Sequence, residues 1–222
     1  MLQIKNVHKT FNPGTINEKK ALNGIDLELN EGDFVTVIGG NGAGKSTMLN
    51  MIAGVYPVDC GSIVIDGIDV TKLPEHKRAK YIGRVFQDPM NGTAANMQII
   101  ENLALASRRG AHRITLLMAT MCKPKLLLLD EHTAALDPKT AKKVLDLTEK
   151  IVAENNLTTI MITHNMKDAI AIGNRLIMMN DGKIIYDVEG DEKKSLTTSD
   201  LLAKFKLTSG EELDDDKILL SE

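Results

Sequence analysis

The stretch GGNGAGKST, from Gly39 to Thr47, narrows the possible folds more than any other part of the chain. It follows a continuous apolar run, FVTVIG, and opens a segment with helical character from Gly44 to about Ala53, which Gly54 and Pro57 stop. Glycine at this density lets the backbone N–H groups turn inward, and the helix that follows adds the positive end of its dipole. The pattern is that of a loop that cradles phosphate, built from Gly39, Asn41, Gly42, Ala43, Gly44 and Thr47. Lys45 can reach β- and γ-phosphates, and Ser46 can ligate Mg²⁺. A glycine-rich turn that binds nothing is the competing reading. The strand before it and the helix after it weigh against that.

The rest of the chain alternates strands and helices. LQIKNVHKTF and IDLELN alternate apolar and polar residues, GSIVIDGIDV reads as a hairpin around Asp66-Gly67, and IGRVFQ reads as a further strand. MQIIENLALAS and RITLLMATM have helical apolar spacing, and DPKTAKKVLDLTEKIVAENN is a long amphipathic helix with Pro138 in its first turn. TTIMIT, RLIMMN and, across Asp181-Gly182, KIIYDV complete a pattern that predicts a mostly parallel sheet covered on both faces. At 222 residues, one domain is expected over 1–222.

LLLLDE supplies a second element. A buried parallel strand would deliver Asp130 to its C-terminal edge, where ligands bind in open α/β sheets. Asp130 would hold the Mg²⁺ shell, and Glu131 would orient or deprotonate an attacking water. An acid pair at a helix N-terminus would be the better reading alone, but not beside a phosphate loop. A formal charge of −3 and 3% aromatic residues argue against a nucleic-acid partner. No apolar run is long enough for a bilayer, and Cys60 and Cys122 lack metal-ligand spacing, so a reduced, cytoplasmic setting is expected.

Taken together, these elements resemble the ATP-binding subunit of an ABC transporter over nearly the whole length. VFQDP resembles that family's Q-loop, which would make Gln87 a sensor of Mg²⁺ and water and a further metal ligand. TAALD, with Asp137, resembles its D-loop, and IMITHN resembles the switch strand, placing His164 near the γ-phosphate. Phe11 stands where the family has an adenine-stacking aromatic, while His132 stands where a small residue or proline is common. The resemblance implies an α/β P-loop NTPase (RecA-like) three-layer core, with an antiparallel β subdomain largely within 1–30 and 58–72. It also implies ATP and Mg²⁺ as ligands, and a second ATP-binding subunit and transmembrane permease subunits as partners at the inner face of the cell membrane. The stretch from DEHTAALDPKT onward is similar to bacterial importer ATPases for amino-acid-like solutes.

One family element is missing from the sequence. The helical subdomain between Q-loop and acid-tipped strand should end in a signature close to L-S-G-G-Q. Gln87 and Asp130 stand only 43 positions apart and no such element occurs, so residues 97–121 read as a remnant bridged by RRGAHR. The expected consequences are a chain that stays monomeric, hydrolyses ATP poorly and couples weakly. A non-catalytic, ATP-responsive binding module is the alternative. A phosphoryl-transfer kinase would need a lid with arginines, for which Arg108-Arg109 is the only candidate pair.

Overall fold

The computed structural model describes residues 1–86, 124–134 and 136–209. Along the chain, β1 (Leu2–Phe11), β2 (Lys19–Leu29) and β3 (Phe34–Ile38) precede α1 (Lys45–Ala53). Then come β4 (Cys60–Ile65), β5 (Ile68–Asp69), α2 (Glu75–Arg78), β6 (Ile82–Val85) and β7 (Leu126–Asp130). The remaining elements are α3 (Pro138–Asn155), β8 (Thr158–Ile162), α4 (Met166–Ala171), β9 (Arg175–Asn180), β10 (Lys183–Glu189), α5 (Gly190–Ser195) and α6 (Thr198–Ser209).

Two sheets result. An antiparallel sheet has the order β2-β1-β4-β5, and a six-stranded sheet has the order β10-β9-β3-β8-β7-β6. Every neighbouring pair of the larger sheet is parallel except β10 with β9. This is the expected α/β architecture, with an antiparallel N-terminal sheet beside a mostly parallel core. The hairpin turns at Asp66-Gly67 and Asp181-Gly182 place both central residues at positive φ, the geometry that two-residue turns between twisted strands require. β2 is longer than IDLELN alone suggests, because β1 supplies cross-strand partners as far as Lys19.

Alternation along the strands sorts the core into layers. Leu126 and Leu128 of β7 pack with α1 and the antiparallel sheet, whereas Leu127 and Leu129 pack with Leu145, Ile151 and Val152 of α3. On β9, Leu176 and Met178 meet Met166 of α4 and Leu201 and Phe205 of α6. Helix α1 therefore lies between two sheets. Its buried residues include Lys45, Met48, Leu49, Met51, Ile52 and Ala53, so it has little polar face to show.

Arg78, only 1% exposed, closes the far end of α1. Its guanidinium donates to the carbonyls of Met51 and Ile52 at 2.8 and 2.9 Å, and to those of Leu73 and Thr71 at 2.7 and 3.0 Å. Two of these acceptors are last-turn carbonyls, of which that of Met51 also accepts from the Gly54 N–H at 3.1 Å. Burial lowers the Arg78 pKa to about 10, which leaves it charged at neutral pH. Arg78→Met should destabilise the chain by about 3 kcal/mol, because several buried acceptors lose one shared donor. Urea unfolding measures this, and a loss below about 1 kcal/mol would mean that water replaces the guanidinium.

Candidate functional site

Strand β3, buried at every position, delivers the chain to the glycine-rich loop. Gly44 is the N-cap of α1 at φ 101°, and a Cβ there would stand 2.6 Å from the Ala21 carbonyl of β2. Only glycine fits such a position. No described side chain caps the helix, and Lys45, Ser46 and Thr47 of its first turn line a cleft. The loop is also braced from the far end of the chain. The Gly182 N–H donates to the Ala43 carbonyl at 3.1 Å, and the Asn23 N–H donates to the Gly182 carbonyl at 2.8 Å.

Lys45 is 5% exposed and donates to the carbonyls of Gly39 and Gly40 at 2.7 and 3.0 Å. Burial lowers its pKa, and the charges of Glu131 and Asp130 counter that shift. Asp130 closes β7. Burial raises its pKa while Arg84 opposes the rise from 3.7 Å, Nη2 to Oδ2. Glu131 follows at φ 48°, a left-handed conformation rare for a non-glycine residue, and its N–H donates to the Ile162 carbonyl at 3.1 Å. The His164 Nε2–H meets the Glu131 Oε1 at 2.6 Å. The acid after β7 and the imidazole after β8 are thus one unit.

Lys45, Glu131 and His164 line one cleft of about 200 Å³, whereas Asp130 and Arg84 are not among its lining residues. Phe11, the loop from Asn41 to Thr47, Glu131 and His164 contribute to its walls. Gly39 stands at the loop's base, and Gln87 lies outside the described residues. Two lining residues, Lys19 and Ala21, escaped the sequence reading. So did Arg84, although a cation inside the apolar run IGRVF was a signal that it needs a partner. The Phe11 ring packs edge-on against Tyr56 at 5.1 Å, with the Lys9 ammonium 5.7 Å from its centroid.

The hydroxyl of Ser46 and the carboxylate of Asp130 are hard oxygen donors of the kind Mg²⁺ prefers. Among the described residues no group of three or more His, Cys, Asp or Glu could cage a metal. Asp137 caps α3, its side chain accepting from the Thr140 N–H at 3.1 Å, with Pro138 in the first turn. His132 turns inward, with Nε2 3.3 Å from the Thr148 hydroxyl and Nδ1 without a partner among the described residues.

Burial holds His132 at about 4, below its ordinary 6.5. Between those values the unfolded chain takes up a proton that the folded chain refuses. This contribution to stability is therefore complete above pH 6.5 and is lost as pH falls towards 4. The loss should be about 2 kcal/mol between about pH 7 and about pH 5. His132→Gln should flatten that part of the pH dependence in urea unfolding. Equal slopes in both proteins would assign the acid sensitivity to other groups.

Known proteins resemble this chain in sequence and fold. A family model described as ABC transporter matches residues 22–114. The tyrosine transport ATP-binding protein of Clostridioides difficile (strain R20291) is 40% identical, and the match covers 93% of this chain and 99% of that protein. The alignment runs over 253 positions against a chain of 222 residues, so that relative has positions without a counterpart here. The spermidine/putrescine import ATP-binding protein PotA of Haemophilus influenzae is 30% identical over 84% of this chain, which spans 57% of that protein. Among solved structures, the dimeric post-hydrolysis ATP-binding cassette MJ0796, bound to ADP and Pi, is 28% identical. It has a TM-score of 0.68, with 85% of this chain and 98% of that one covered. The ADP conformation of the cassette MJ1267 shares the fold at a TM-score of 0.71 and 22% identity, over 94% and 98% of the two chains.

Proposed function

Because this chain belongs to the family of ABC transporter ATP-binding subunits, we propose that it binds Mg-ATP in the cleft and hydrolyses it to drive import of an amino-acid-like solute through a separate permease. The observation that carries this reading is the cleft shared by Lys45, the first-turn residues Ser46 and Thr47 of α1, and the Glu131–His164 pair. Similarity to a tyrosine transport protein over almost its whole length supports the solute class. No helix of the described residues is long and apolar enough to cross a membrane, so the permease is a separate protein in this reading.

The residues divide the work. Lys45 and the loop N–H groups bind the phosphate chain, and Phe11 offers a stacking face to the base. Ser46 and Asp130 would hold Mg²⁺ together with Gln87, and the ion supplies charge neutralisation for the phosphate oxygens when bound. Glu131 accepts a proton from the attacking water, while His164 fixes the orientation of its carboxylate. Glu131, at a left-handed backbone position, lines the cleft together with the loop from Asn41 to Thr47.

The missing signature limits this chemistry. In the family's hydrolytic state, a partner subunit's signature donors face the γ-phosphate. Without them, stabilisation of the transition-state charge falls by about 10²–10³ in rate per lost donor, by analogy with oxyanion sites. The second reading, an ATP-responsive module with little turnover, rests on that same absence of an L-S-G-G-Q element.

Lys45→Ala should weaken ATP by about 1.5–3 kcal/mol, the worth of one charge-assisted contact. Unchanged affinity by titration calorimetry would sink the nucleotide assignment. Glu131→Gln should form no ATP-dependent dimer by size exclusion with light scattering in excess Mg-ATP. The unaltered chain should release phosphate well below about 1 s⁻¹. A dimer, or faster release, would mean that other residues of this chain replace the signature.

A further inference from the structure

We infer that Lys19 is a second phosphate-binding cation of this cleft, facing the nucleotide from the wall opposite Lys45. The inference rests on the nucleotide reading above and adds a residue that the motif does not contain. Strand β2 runs directly along the phosphate loop. The Ala21 carbonyl stands 2.6 Å from where a Gly44 Cβ would be, and two residues earlier the Lys19 ammonium stands 3.4 Å from where a Gly42 Cβ would be. Lys19 and Ala21 both line the cleft, although the register of β2 with β1 shifts between Leu22 and Lys20. Gly42, lacking a Cβ, leaves the space between ammonium and loop open.

Three further observations point the same way. Lys19 pairs across the sheet with Phe11, so the cation and the candidate base-stacking ring form one end of the cleft. The neighbouring acid is engaged elsewhere, because the Gly14 N–H donates to the Glu18 carboxylate at 2.7 Å. Lys19 itself has no side-chain hydrogen bond or ion pair among the described residues. By contrast, Lys45 is tied to two loop carbonyls and lies near two acids. A polyphosphate between the two lysines would give Lys19 the anionic partner that its own strand does not provide.

The test is titration calorimetry of the full chain with Mg-ADP and Mg-ATP. Lys19→Gln should weaken both nucleotides about three- to tenfold, a discounted figure because the side chain is exposed. Its affinity should also fall less steeply with added salt, since one screened contact is gone. Lys19→Arg should restore most of the loss, and Lys20→Gln, on the opposite face of β2, should change nothing. Full affinity in Lys19→Gln while Lys45→Ala loses binding would overturn the role of Lys19 and leave the nucleotide reading standing. Unchanged affinity in both variants would overturn the nucleotide reading itself. An equal loss in Lys20→Gln would reduce the effect to general surface charge and likewise overturn the inference.

Discussion

Enclosure of α1 between the two sheets governs the arrangement of this protein. A helix exposed on one side can shift along its axis, but α1 packs against β3 and β7 on one side and against the antiparallel sheet on the other. Its N-terminus is set by the contact of Gly44 with the Ala21 carbonyl, and its C-terminus by the Arg78 guanidinium. The phosphate loop therefore inherits its geometry from the core. Preorganised donors of this kind need no rearrangement when an anion arrives.

Charge within the site is balanced. Lys45 and Arg84 oppose Asp130 and Glu131 at a depth where water screens little, and each cation is shifted by burial in the direction that discourages its charge. Removing one member would leave the others uncompensated, which is costlier than the worth of any single pair. Arg84 also stacks over Phe86, its guanidinium carbon 4.4 Å from the ring centroid. The Asp130 carboxylate is thereby supported from the strand next to its own.

The sheet order was legible where side-chain pattern alone decides it. LLLLD and TTIMIT read as buried strands, which the parallel pairing of β7 with β8 bears out, and the two Asp-Gly turns signalled their hairpins. The loop residues and the acid pair were legible as a site because spacing carries their chemistry. Lys19 and Ala21 were not, since their position depends on the register of β1 with β2, which shifts at three places along the pair. Arg84 was hidden for a related reason: its partner, Asp130, is on the neighbouring strand, far away in sequence. The polar helix α5 gave no apolar periodicity. It docks through Lys193, whose ammonium donates to the carbonyls of Ile172 and Gly173 at the end of α4. Gln87 and the segment read as a remnant lie outside the described residues.

The brace between Gly182 and Ala43 has a bearing on biosynthesis. The phosphate loop is made before its supports, because β3 lies between β8 and β9, and the amide that supports Ala43 belongs to residue 182. Contacts of such sequence separation close late, after the entropy of a long loop has been met. A nascent chain thus holds an apolar central strand with neither neighbour until β8 and β9 have been made, the condition in which unpaired strand edges attract chaperones or one another. The cleft beside this loop is whole only once Glu131 and His164 have also joined it.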